Sequence, residues 1–216
     1  MILKQIKAGP FEANNYLIID ENTKKAAMVD ASGDFEKVKS LLDEYGATLE
    51  KILLTHGHFD HIGGCYDFQK KLDSKVFIHK DDAEMVTKLK QQLQMFGMPA
   101  QEEPTTDGFI EDGEIIEVGD LKIKAIHTPG HTKGGICFVV ENIIFSGDTI
   151  FLHSVGRTDL PGGSYKELED AVSGGLAAPS GDDIHLRNYK IDLLTGVAKS
   201  LGADSAIDVS GSSIRG

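Results

Sequence analysis

The stretch Thr55-His56-Gly57-His58-Phe59-Asp60-His61 constrains this chain more than any other, because it sets three imidazoles and a carboxylate within six positions. Neutral imidazole and carboxylate are the groups that hold zinc and similar divalent ions. Without an ion, four of them so close together would leave several lone pairs unsatisfied. The spacing is expected to exclude a helix here. On a helix His56 and His58 would point to nearly opposite sides, whereas in an extended or tightly turned backbone residues two apart share a face and can chelate one ion. Asp60 and His61, being adjacent, diverge in an extended chain and suit a second ion beside the first.

Composition narrows the partners. A chain of 216 residues that is 40% hydrophobic suits one folded domain with a sizeable core. A formal net charge of -12 argues against a nucleic-acid partner, since phosphate binding runs on clustered Lys and Arg. Two cysteines, Cys65 and Cys137, are too few for a disulfide framework, and no charged-then-apolar signal precedes Ile2 to Ile6. The longest apolar run, Ile136 to Val140, stops at Glu141-Asn142, far short of the roughly 20 residues a membrane span needs. A soluble cytoplasmic protein with no membrane partner is the expectation.

The periodicities alternate between strand and helix. Ile2 to Ile6, Tyr16 to Ile19 and Ala26 to Val29 read as an antiparallel meander separated by turn formers, and a helix with Val38, Leu41 and Leu42 on one face runs up to Gly46. Lys51 to Leu54 is a short buried strand with the histidine stretch in the loop at its carboxyl end, where α/β proteins keep their sites. A helix follows Gly63-Gly64 through about Leu72, and Lys75 to His79 is again a strand. Asp81 to Met98 reads as one helix with a core stripe of Met85, Val86, Leu89, Leu93 and Phe96, Met95 and Met98 packing at its end. Pro99 to Gly113 reads as a polar loop, either a flap facing substrate or an exposed connector. Strands are expected at Ile115 to Val118, Leu121 to Ile126, Ile136 to Val140 and Ile143 to Phe145. Two sets of strands, each followed by helices, suggest two sheets packed face to face.

Two further candidate ligands stand between the later strands. His127-Thr128-Pro129-Gly130-His131-Thr132 projects His131 from a turn, and Ser146-Gly147-Asp148-Thr149 ends a strand with a carboxylate. THGHFDH, HTPGHT, SGDTIF and SVGRTDLPGGS, in that order from Met1 to about Val172, resemble the metallo-β-lactamase superfamily and within it the short glyoxalase II-like hydrolases. The resemblance implies an α/β four-layer αββα sandwich. It also implies a first metal held by His56, His58 and His131, a second held by Asp60 and His61, and Asp148 bridging them. His127 would be a supporting or structural group, and His79 and His153 have no evident partner. Residues 1–172 would form the hydrolase domain, with 173–216 an atypical segment that completes it and ends loosely.

After Val172 the chain departs from the family pattern. It lacks the Gly-His-Gly-x-x-Thr segment that closes the second metal site. His185, its one remaining histidine, alternates with apolar neighbours as a strand residue would, the alternative being that it supplies the missing ligand. Residues 191–201 read as a short helix with Leu193, Leu194, Val197 and Leu201 on one face.

The implied activity is hydrolysis of a small acyl-thiol, S-lactoylglutathione or a relative. One or two zinc ions per chain, with iron or manganese as alternatives, would lower the pKa of a bound water toward ~7 to make the nucleophile. Asp60 would be the catalytic group that orients it. The helical carboxyl domain that grips glutathione in full-length glyoxalase II has no counterpart. The rivals are an iron sulfur dioxygenase, a β-lactamase, and a catalytically impaired metal-binding protein.

Overall fold

The alternation that opens the chain folds, in the computed structural model, into one edge of a six-stranded sheet. The structure describes residues 1–151, 154–173, 189–191 and 198–200. β1 (Ile2–Ala8), β2 (Ala13–Ile19) and β3 (Lys25–Val29) form the expected antiparallel meander. β4 (Thr48–Leu53), β5 (Lys75–His79) and β6 (Gly108–Ile110) then add in parallel, so the sheet order is the chain order. Parallel neighbours need crossovers, and these are helical: α1 (Phe35–Tyr45) joins β3 to β4, and α2 (Phe59–Ile62) with α3 (Cys65–Leu72) joins β4 to β5. β6 is a departure from the expected loop, because Asp107 docks the chain on β5: its N–H donates to the Val76 carbonyl at 2.8 Å, and its carboxylate accepts from the Val76 N–H at 2.8 Å.

The expected single helix over 81–98 is three pieces: a 3-10 turn (Lys80–Asp82), α4 (Ala83–Val86) and α5 (Leu89–Met95). Carbonyls that a continuous helix would use internally go elsewhere. The Thr87 hydroxyl donates to the Glu84 carbonyl at 3.1 Å, and the Gln92 amide donates to the Met85 carbonyl at 2.8 Å. Val86, Leu89 and Leu93 are core as expected and Met98 packs against it, but Met95 is 73% exposed and Phe96 48% exposed.

The second sheet holds β7 (Ile115–Val118), β8 (Leu121–His127), β9 (Ile136–Val140) and β10 (Ile143–Phe145). After a small hairpin of β11 (Ile150–Phe151) and β12 (Ser154–Val155) and a helix α6 (Tyr165–Ser173), β13 (Tyr189–Ile191) and β14 (Ala198–Ser200) extend it, β14 pairing with β10. Within the stretch 191–201, read from the sequence as a short helix, Ile191 and Ala198–Ser200 are strand. β10 would otherwise present an unpaired edge, which β14 covers. Residues 192–197 and 201 lie outside the described residues.

Two apolar layers result. One lies between the first sheet and its helices, with Ile52, Val76, Ile78, Phe68 and Leu89. The other lies between the sheets, where Ile18, Val29 and Leu53 meet Ile123, Ile136, Phe138 and Val140. Cys137 and Val139 point to the opposite face of β9 and are buried too, so the second sheet is covered on both sides. This is the four-layer αββα sandwich. No helix among the described residues is long and apolar enough to cross a membrane.

Phe138 is fully buried between the sheets. Phe138→Ala is expected to cost roughly 3–5 kcal/mol in denaturant unfolding. Ile115→Ala, at a residue 49% exposed, is expected to stay within about 0.5 kcal/mol of the parent.

Candidate metal centre

β4 ends at Leu53, the chain bends at Thr55 and is extended at His58, and the Ile136 N–H of β9 donates to the Thr55 carbonyl at 2.8 Å. That contact brings the histidine loop to the edge shared by both sheets. Asp60 and His61 do not continue the extended chain; they lie on the single helical turn α2. Consequently they converge rather than diverge, His61 Nε2 lying 3.8 Å from Asp60 Oδ2. His131 comes from the turn after β8 and Asp148 from the turn after β10.

All six sequence candidates meet here. His58 Nδ1 is 2.9 Å from His131 Nε2, and the His56 ring centroid is 4.8 Å from those of both. Asp148 stands between the two halves, with Oδ2 3.5 Å from His131 Nε2 and Oδ1 3.3 Å from His61 Nε2. Possible ligand atoms of His56, His58 and His131 lie within 4.8 Å of one another, as do those of His56, His61 and Asp148.

The backs of the rings fix which nitrogen faces inward. His131 Nδ1 donates to the Arg157 carbonyl at 2.7 Å, so its Nε2 carries the lone pair. His61 Nδ1 donates to Asp30 Oδ2 at 2.8 Å. The Thr55 hydroxyl gives its hydrogen to Asp30 Oδ2 at 2.8 Å, which leaves it an acceptor for His56 Nδ1 at 3.1 Å. His56 Nε2 is then buried with no hydrogen-bond partner among the described residues. An orphaned imidazole lone pair beside two more imidazoles and a carboxylate fits a divalent cation.

Electrostatics agree with neutral ligands on one side. Burial pushes His58 down to about 3, helped by His131 and His61, and pushes His56 well below the usual imidazole value. On the other side burial opposes charge on His61, but Asp30 and Asp148 outweigh it and raise its pKa well above the ordinary value. Burial raises Asp60, whereas for Asp148 the hydrogen bond and charge of His61 overcome burial and lower it.

Asp30, the residue after β3, lies outside every motif that the sequence offered. It is buried, and its oxygens accept from Thr55 N–H, Thr55 Oγ1 and His61 Nδ1, each at 2.8 Å. The available signal was a carboxylate ending a strand beside the one that feeds the histidine loop. His79, expected without a partner, stacks on His127 with centroids 4.2 Å apart and planes 12° apart, next to Asp81. His127 Nε2 also pairs with the Lys133 carbonyl at 2.8 Å, and neither ring is among the inward-facing groups above. His153 and His185 lie outside the described residues.

Comparison with known proteins agrees with this architecture. Residues 8–182 match the family described as the metallo-beta-lactamase superfamily. The hydroxyacylglutathione hydrolase GloC of Haemophilus influenzae is 32% identical over 188 residues, covering 85% of this chain and 88% of that protein. Among solved structures, BLEG-1 B3 metallo-beta-lactamase is similar with TM-score 0.72 and 31% identity, over 80% of this chain and 84% of that one. TTHA1623, solved in a di-iron-bound form, is similar with TM-score 0.70 and 30% identity, over 79% and 84%. Fold, sequence match and the converging imidazoles agree: the chain belongs to the metallo-beta-lactamase superfamily.

Proposed function

We propose that the protein is a metal-dependent hydrolase of thioesters. In this reading His56, His58 and His131 hold one metal, Asp60 and His61 a second, and Asp148 is shared. The observation that carries it is the buried, partnerless His56 Nε2 facing the same point as His58 and His131. Zinc suits such imidazole-rich sets, and iron and manganese are the other ions a mixed nitrogen and oxygen set takes. Residues 1–172 are read as the hydrolase domain and 173–216 as a segment completing it. The substrate is read as a small acyl-thiol met in the cytoplasm, and the net charge of -12 disfavours nucleic acid.

Metal bound by these side chains would supply an acidified water and a cation facing the substrate carbonyl oxygen. The chain's own groups do the rest. Asp60, whose pKa burial raises, would accept the water's hydrogen bond and aim it at the acyl carbon. Thr55 and Asp30 keep His56 and His61 from rotating. As the C–S bond breaks the sulfur departs with the electron pair as a thiolate, which needs little protonation, so a thioester is an easier substrate than an amide. The GloC relative's name points to acylated glutathione as the first thiol to test.

Metal content per chain, metal identity and turnover on a panel led by S-lactoylglutathione test the reading together. Bound zinc with thioester turnover supports it. Bound iron with dioxygen uptake would identify a sulfur dioxygenase instead, and bound metal without turnover on any thioester would leave a silent scaffold. His58→Ala is expected to weaken the first metal by at least ~10–100-fold in chelator competition and to abolish turnover. Asp148→Asn, with both metals restored at high concentration, is expected to stay severely impaired, because a neutral amide is a poor bridge between cations. Parental turnover in that variant would remove Asp148 from the shared position.

A further inference from the structure

His56 and His58 lie on one loop, and His131 lies on another, 73 residues beyond His58. Their spacing must be held by something other than the ligands themselves. Between the two loops stands Asp82, at the end of the 3-10 turn after β5, buried to 1% exposure. Its Oδ2 accepts from the Gly57 N–H at 3.1 Å and its Oδ1 from the Gly134 N–H at 2.8 Å. One carboxylate therefore ties the peptide between His56 and His58 to the loop that follows His131.

Both glycines are required by this approach. A Cβ on Gly134 would come within 2.8 Å of the Asp82 N, Cγ and Oδ1, and one on Gly57 within 2.6 Å of Met85 Cβ and 2.9 Å of the Asp82 carbonyl oxygen. Gln92 grips the same loop from the far side, donating to the Gly57 carbonyl and accepting from the Phe59 N–H, both at 3.0 Å. No Lys or Arg among the described residues pairs with Asp82. A buried carboxylate without a cation is costly, and here two convergent N–H donors compensate it. An amide of the same shape could accept on one side only and would set its NH2 against the other N–H.

We propose that Asp82 is the positioning residue for the three-imidazole group, fixing the distance between the His56–His58 loop and the His131 loop and so the affinity and geometry of the first metal. The proposal rests on the reading that these imidazoles hold a metal. It touches neither metal nor substrate; it acts through the backbone of Gly57 and Gly134.

The test uses the full-length protein loaded with Co(II), whose visible absorption reports ligand geometry. In Asp82→Asn, Co(II) affinity of the folded protein in chelator competition should fall by ~10–100-fold, with a changed visible band. A purely structural role would lower the unfolding temperature and leave affinity and spectrum of the folded molecules as in the parent. Gly134→Ala, which presses a methyl group on Asp82 from the other loop, should weaken Co(II) in the same direction. Parental affinity and spectrum in either folded variant overturns the proposal. Failure of the unaltered protein to bind Co(II) overturns the metal reading, and this proposal with it.

Discussion

One buried carboxylate, Asp30, orients two of the four rings in the cluster. It sits at the end of β3 with φ 58, a left-handed conformation that carries its side chain across to the end of β4. There it receives the Thr55 N–H, the Thr55 hydroxyl and His61 Nδ1. Because Thr55 spends its hydrogen on Asp30, its lone pair is left for His56 Nδ1, and the constraint passes one ring further. Main-chain bonds reinforce it: Asp30 N–H donates to the Leu53 carbonyl at 3.0 Å, and Ala31 N–H to the His61 carbonyl at 2.8 Å. Charge-assisted bonds of this kind hold an imidazole in one tautomer and one direction, which a ligand set needs before any ion arrives.

Much of this was legible because the informative signals are local. Histidines at 56, 58 and 61 with a carboxylate at 60 announce themselves by spacing, His131 and Asp148 joined them through the ordered motifs that resemble the metallo-β-lactamase superfamily, and alternation and short apolar runs located the strands of the meander and of the second sheet. What escaped depends on partners far apart in the chain. Asp30 gains its role only when β3 and β4 lie side by side. The His79 and His127 stack forms because β5 and β8, in different sheets, end at the same edge. The break in the expected helix over 81–98 follows from Gln92 reaching back to Met85 and across to the histidine loop, contacts invisible to a periodicity. Asp60 and His61 were misread locally for the same reason, since the helical turn that makes them converge is fixed by bonds to Ala31 and Gln92 outside the motif.

The two halves of the cluster are unlike in chemistry, and the difference follows from what surrounds each. His56, His58 and His131 form a nitrogen-rich group in which burial holds His56 and His58 neutral, and the His58 Nδ1 to His131 Nε2 contact at 2.9 Å holds the one proton an ion there would have to displace between those two rings. Around His61 the partners are carboxylates, Asp60 and Asp148 in front and Asp30 behind, and they hold a proton on the ring. An ion entering that half must expel the proton, and it meets a harder, oxygen-rich set. Occupation of the second half should therefore weaken as pH falls toward the acid range, while the first half is affected later, because His58 stays neutral down to about 3. The groups described in or behind the cluster run from the Asp30 side chain to the Arg157 carbonyl. Both halves are thus assembled from within residues 8–182, the part of the chain that matches the family.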